Sequence, residues 1–144
     1  NVYVATLMGS PAMNILPATV VMRDGAPHAR ISDAQGVELL MKFSQSNLAT
    51  WDGKAILLGI RPEAITDPDG ADRNATNIVP LRNHIGVTEP SGADTFVTTL
   101  LGGKDVVARM RADVNARPGD MFRFAVNMDK AVVFDPLTQD RIRP

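Results

Sequence analysis

Cysteine is missing from this chain altogether. That removes disulfides, thiolate catalysis and cysteine-ligated zinc, and it fits a reducing, cytosolic setting. Aromatic residues supply only 5% of the 144 positions, as one Trp, one Tyr and five Phe. So few rings make a poor platform for stacking nucleic-acid bases. Neither sign of charge prevails: 15 basic against 16 acidic residues leave a formal charge of −1. The cationic surface that releases counterions from nucleic acid is therefore lacking, and no such partner is expected. No apolar run approaches the roughly 18 to 20 residues that cross a bilayer. No signal peptide is visible, so Asn74-Ala75-Thr76 is not expected to act as a glycosylation site.

What is present is an ordinary globular composition, 44% hydrophobic and 22% charged. The length suits one domain, or two small barrels sharing a core. The chain starts at Asn1 within what reads as an element, which leads us to expect a domain cut from a longer protein. Residues 2–9 suit a short helix, with Val4, Leu7 and Met8 on one face, stopped by Gly9 and Pro11. From Ile15 the apolar period becomes two: Leu16, Ala18, Val20 and Met22 share one side of a strand. Asp24-Gly25 reads as a hairpin turn into a strand at 28–32, and Leu39, Met41 and Phe43 mark another strand. Residues 44–51 fit a turn of helix or a loop, and Asp52-Gly53 turns the chain into an apolar strand at 55–60.

Residues 67–76 are rich in Asp, Gly, Pro and Asn and read as an exposed loop, a boundary between half-domains. Beyond it Val79, Leu81, Asn83, Ile85 and Val87 alternate with Ile78, Pro80, Arg82, His84 and Gly86. Strands are expected near 94–101, 104–111, 121–127 and 131–135, with turns at Pro90-Ser91-Gly92, Gly102-Gly103 and Pro118-Gly119-Asp120. Strand and turn alternating at this pace is the rhythm of barrels and sandwiches. The pattern predicts an all-β chain with one short helix and many tight turns.

The chemistry of catalysis is not written in these residues. A phosphate-cradling loop needs spaced glycines followed by Lys and a hydroxyl. Gly102-Gly103-Lys104-Asp105 has neither the upstream glycine nor the hydroxyl, and reads as a hairpin turn. His28 and His84 stand 56 positions apart without a cysteine, which makes no metal site. Asp67, Asp69 and Asp72 surround Gly70, but Pro68 and Ile78 break the calcium-loop spacing. Ser10 and Ser91 lie in no nucleophile elbow. Phe122 and Phe124 share one strand face, where core packing outweighs base stacking.

Two segments stand out. Gly59-Ile60-Arg61-Pro62-Glu63 closes the apolar run Ala55-Ile56-Leu57-Leu58. Pro62 lacks an N–H and ends the strand, with Ile56, Leu58 and Ile60 on one face and Leu57 on the other. Arg61 and Glu63 then either tie the turn to nearby groups or face a partner. Gly9-Ser10-Pro11-Ala12-Met13-Asn14 reads as a helix stop followed by an Asn able to bond its own backbone. Pro11 and Met13 are free to pack inward or onto an adjoining domain.

These two segments resemble the C-terminal regulatory domain, the transport-associated OB or TOBE domain, of ATP-binding subunits in ABC importers of the maltose and glycerol-3-phosphate type. Val87-Thr88-Glu89-Pro90-Ser91-Gly92-Ala93-Asp94-Thr95 is similar to a family turn reading Glu-x-Leu-Gly-x-Glu/Asp-Thr, with Ser91 in place of Leu. Phe134-Asp135-Pro136-Leu137-Thr138-Gln139-Asp140-Arg141-Ile142 is similar to a closing Phe-Asp-x-x-Thr-Gly-x-Arg-Leu. There Gln139 replaces Gly at a left-handed turn position.

The resemblance implies an OB-type, molybdate-binding-protein-like (MOP-like) β-barrel domain of two small interleaved barrels with a short N-terminal helix. Residues 1–14 would be the helix and linker left from an ATPase domain. Residues 15–144 would be the regulatory domain, with sub-barrels 15–66 and 77–142. Gly9, Ser10, Pro11, Met13, Asn14, Arg61, Pro62 and Glu63 become the structural and interdomain motif. No cofactor is expected in this fragment, since ATP and Mg would sit in the missing ATPase domain. The expected partners are a second copy, its own ATPase domain, the permease subunits and a regulatory protein, at the cytoplasmic face of a bacterial inner membrane. The rival reading is a sensor of molybdate- or sulfate-like oxyanions using Thr98, Thr99 and Lys104. An OB-type nucleic-acid binder ranks below both.

Overall fold

Period-two apolar rows, broken by turns, leave this chain one economical solution: antiparallel strands closed around a shared interior. The computed structural model describes residues 12–144. The helix expected over 2–9, and Gly9, Ser10 and Pro11 with it, lie outside the described residues. The strands in chain order are β1 (Asn14–Arg23), β2 (Ala26–Ser32), β3 (Glu38–Lys42), β4 (Ala55–Ile60), β5 (Ile65–Thr66), β6 (Ile78–His84), β7 (Thr88–Ser91), β8 (Asp94–Leu101), β9 (Lys104–Arg111), β10 (Met121–Asn127) and β11 (Val132–Phe134).

They form three antiparallel sheets, ordered β11-β4-β1-β2-β3, β5-β10-β6 and β7-β8-β9. In β1 Leu16, Ala18 and Val20 are buried as their spacing predicts, and Ile15 is turned outward. Asp24 and Gly25 both take positive φ, 53° and 77°, the geometry that lets a two-residue turn follow strand twist. The ambiguous segment after β3 is a short 3-10 helix, Ser46–Trp51, whose Leu48 plugs the core.

Strands near 94–101, 104–111 and 121–127 fall where alternation places them, and the last is shorter, 132–134. One strand was not expected: Thr88–Ser91 is β7, although Pro90 and Ser91 read as turn residues. The turn itself is Gly92-Ala93. Pro90 is tolerated because β7 is an edge strand with its far side unpaired.

The halves are laced together. β11 lies far along the chain yet pairs with β4 in the first sheet: Val132↔Gly59, Val133↔Leu58, Phe134↔Leu57. β5, from the first half, pairs with β10 in the second: Thr66↔Ala125, Ile65↔Val126. The β8–β9 hairpin tip docks on β2. Gly102 has φ +60°, and a Cβ there would strike Ile31 Cγ2. The buried side chains of all three sheets, among them Val20, Met41, Leu58, Met110 and Phe124, form one hydrophobic core.

Candidate functional site

Met13 and Asn14, the end of one signature segment, meet the other at the start of β1. Asn14 is paired with Ile60, the last residue of β4. Its Nδ2 donates to Ile60 O and to Val107 O, each at 2.9 Å, and its Oδ1 accepts the Val107 N–H at 2.9 Å. Asn14 is 2% exposed. A side-chain amide has both donors and acceptors, which is what a stretch of unpaired strand backbone requires. The residue expected to bond its own backbone instead joins the first sheet to β9, 93 positions away.

The preceding residue completes the join. A Cβ on Gly59 would strike Met13 Sδ, and would lie 2.9 Å from Val132 Cγ2 and 3.1 Å from Phe134 Cε2. The glycine opening the second motif is thus the floor on which Met13 rests. Beyond Ile60, Pro62 starts a one-turn 3-10 helix, Pro62–Ala64, closed by Ala64 N–H to Arg61 O at 3.0 Å. Pro62 and Ala64 are buried, and Arg61 and Glu63 are exposed. Among the described residues neither charge makes a hydrogen bond or ion pair. Ile56, Leu58 and Ile60 point into the core and Leu57 is half-buried on the other face.

This turn lies along β9, whose outward row is Val107, Arg109 and Arg111. Val107 is held by Asn14, and Arg111 is held by Asp67. Arg111 Nε and Nη2 donate to Asp67 Oδ2 at 3.0 and 2.8 Å, and its backbone N–H reaches Oδ1 at 3.3 Å. Thr66 Oγ1 adds a bond to Oδ1 at 3.2 Å. Asp67 is 2% exposed, so residues 67–76 are not wholly the solvated loop that composition suggests. Burial pushes the Asp67 carboxyl up, but the Arg111 hydrogen bonds and charge outweigh it and hold it below the usual carboxylate value. Arg111 is correspondingly raised by Asp67.

Between those two anchors Arg109 lines a cleft of about 290 Å³ with Glu63, Thr66, Asp72, Asn127 and Lys130. A second tie missed by sequence reading is Asp129. It accepts Ser44 Oγ at 2.5 Å, Thr76 Oγ1 at 2.8 Å and the Thr76 N–H at 2.6 Å. Those bonds hold its carboxyl below the ordinary value, Ser44 contributing most.

The other candidates resolve into structure. His28 Nδ1 lies 2.9 Å from Ala26 O and His84 Nδ1 lies 3.1 Å from Gly119 O, in different sheets. Among the described residues no group of three or more His, Cys, Asp or Glu is placed to hold a metal. The oxyanion set does not converge. Thr98 Oγ1 accepts the Val87 N–H at 2.8 Å, and Thr99 Oγ1, buried, donates to His84 O at 2.8 Å. Lys104 is exposed at the start of β9. Phe122 and Phe124 pack as a tilted pair, centroids 4.9 Å apart, with Phe124 fully buried.

Short antiparallel strands in three sheets around one core, with interleaved halves, have the architecture of an OB-type β-domain. Its fold is shared with the cytoplasmic molybdate-binding protein ModG, with a TM-score of 0.60 at 20% identity, over 87% of this chain and 97% of that one. Residues 9–65 match the family described as MalK OB fold domain, a span that contains both signature segments. The chain is 34% identical over 99% of its length to the uncharacterized ABC transporter ATP-binding protein y4oS of Sinorhizobium fredii, covering 34% of that protein. It is 32% identical to the sn-glycerol-3-phosphate import ATP-binding protein UgpC of Ralstonia nicotianae, over 99% of this chain and 37% of that protein. It is 31% identical to the sulfoquinovosyl glycerol transport ATP-binding protein SmoE of Agrobacterium fabrum, again over 99% and 37%. The first part of the chain thus matches the MalK OB fold family, and the chain as a whole is similar to one stretch of the ATP-binding subunits of ABC importers. The chain spans about a third of the length of these relatives.

Proposed function

We propose that this chain is the regulatory and dimerisation domain of the ATP-binding subunit of an importer for sugars or glycerol-3-phosphate-like solutes, and that it is not catalytic by itself. The observation that carries the reading is the junction at Asn14. There the two motifs are locked together from within, and Arg61 and Glu63 are left exposed beside the start of β1. Buried parts of a motif explain its shape, whereas the exposed charges have no such role and suit contact with another domain. ATP and Mg would belong to an ATPase domain outside this chain. The assembled subunit would pair with a second copy and bind permease subunits, peripherally at the cytoplasmic face of a bacterial inner membrane. Pairing about a two-fold axis would draw on the second half of the chain, whose short edge strands β6 and β7 need cover.

The test uses the whole subunit in its transporter. Arg61→Ala with Glu63→Ala should lower transport-coupled ATP hydrolysis severalfold and leave the domain's Tm unchanged. Unchanged coupling would refute the interdomain role. The isolated chain should show no ATP hydrolysis. Sedimentation should show weak self-association, and a strict monomer at high concentration would refute autonomous dimerisation. An oxyanion-sensing role is the second reading, favoured by the shared fold with ModG, which binds molybdate. Its candidate hydroxyls on Thr98 and Thr99 are already engaged by backbone, so a thermal-shift screen with molybdate and sulfate should show no stabilisation.

A further inference from the structure

The outer face of the β6–β10 pair reaches the cleft at one end, where Ile78, Ala125 and Asn127 line it with Glu63, Asp72 and Lys130, and the rest of it has no part in the reading above. Its residues stand directly opposite one another as His84↔Met121, Arg82↔Arg123, Pro80↔Ala125 and Ile78↔Asn127. Arg82, His84 and Arg123 are exposed, and Ile78 and Met121 are 38% and 46% exposed. At its centre Arg82 and Arg123 stand directly opposite each other on one face of the ladder, and like charges so placed cost stability. Among the described residues the ion pairs are Arg30–Glu38 and Arg111–Asp67, so no carboxylate relieves Arg82 or Arg123. The two strands themselves bring arginine, methionine and isoleucine to this face with no lysine or acid, the composition of an interface centre. Asp33 and Glu38 line a groove beside Arg82 without pairing with it.

We propose that this face docks an acidic protein partner, one presenting carboxylates interleaved with aliphatic side chains. The carboxylates would lie between Arg82 and Arg123, where the planar fork of each guanidinium can take one. The aliphatic groups would cover Met121 at one end and Ile78 at the other. Charge decides against the alternatives. A second copy placed on this face about a two-fold axis would gather four guanidinium groups at one point, which repels. Nucleic acid is poorly served as well. The chain carries no net positive charge, and the aromatic pair found among the described residues, Phe122 tilted against the buried Phe124, lies on the strand face opposite Arg123.

The test has a part without ligand and a part with one. Arg82→Gln with Arg123→Gln should leave the Tm of the free chain unchanged or raise it, because repulsion is removed. A clear fall would overturn the claim that the pair is unrelieved. The 15N-labelled chain is then titrated with a synthetic peptide of Glu with interspersed Leu. An all-Glu peptide and a single-stranded oligonucleotide of equal charge serve as comparisons. Amide shifts should cluster in 78–84 and 121–125. Binding should weaken at least about tenfold in the double variant, and the all-Glu peptide should bind about tenfold less tightly. Equal affinity for the double variant, equal affinity for the all-Glu peptide, or tighter binding of the oligonucleotide would each overturn the proposal. So would self-association that the double variant abolishes, since the occupant would then be a second copy.

Discussion

Replacing Asn14 should damage this domain more than its place at the head of an edge-facing motif suggests. Asn14→Ala deletes three hydrogen bonds at once, two donated and one accepted. Each is worth about 0.5–1.5 kcal/mol net, and a buried N–H or C=O left unpaired costs about 1–3 kcal/mol. Ile60 O keeps its strand environment, so the Val107 N–H and C=O carry most of the loss. These terms overlap, and an expected total of about 3–4 kcal/mol sits in the tail reserved for broken buried networks. For a domain of this size that corresponds to a Tm drop of roughly 10 °C.

Asn14→Asp is the sharper test, because its effect carries a sign. A carboxylate there could still accept from Val107 N–H but would confront the oxygens of Ile60 and Val107. The folded state therefore favours the protonated acid and raises its pKa above the unfolded value. Stability is then highest below the ordinary carboxylate pKa of about 3.9 and falls as pH rises, by up to about 1.4 kcal/mol per pH unit, until the folded pKa is passed. Urea unfolding of the native chain and the Asp variant from pH 4 to pH 7 should show a widening gap. A gap independent of pH, or an Ala variant less than about 1 kcal/mol destabilised, would refute the geometry at this junction.

Gln139 takes φ +64°, so Gln139→Gly should stabilise by about 0.5–1 kcal/mol, the relief of a left-handed strain less the extra chain entropy of glycine. A fall in Tm would contradict it. Gly59→Ala should be strongly destabilising because its Cβ meets Met13 Sδ, Val132 and Phe134. Met13→Ala added to it should recover part of the loss, and strict additivity in the double-mutant cycle would refute the contact. Asp67 has a depressed folded pKa, so its contribution is present above the ordinary Asp value and is lost as pH falls through the lower folded one. Asp67→Asn should make the acid limb of a Tm-against-pH curve shallower between pH 4 and 2, and an unchanged slope would count against the pairing.

Alternation was legible wherever one strand face is buried and the other wet. β1 and β9 follow their apolar rows closely, because side-chain period and burial are the same signal there. β7 escaped because its residues, Thr88–Ser91, are partly or fully exposed and include a proline. Nothing apolar marks the row, and its pairing with β8 rests on backbone alone. Arg61, Pro62 and Glu63 announce a strand end, and the structure ends the strand there. Asn14 and Asp67 were visible as residues but not as ties. Each looks like a turn former in its local sequence, and each finds its partner 44 or more positions away. Backbone groups such as those of Val107 carry no residue identity, so no pattern in the sequence could name them.

The return of β11 to the first sheet has a consequence for how the chain acquires its structure. The edge of that sheet along β4 stays open until residues 132–134 arrive. Gln45 and Asn47 likewise wait for the carbonyls of Ile142 and Arg143. During synthesis the first half must therefore emerge with an unpaired, apolar strand edge, the condition that invites association between nascent chains. Closure demands a loop of some seventy residues, which slows the search. Once made, it leaves no half able to melt alone. Loss of the last dozen residues should therefore loosen the first sheet, far away in sequence, as readily as the second.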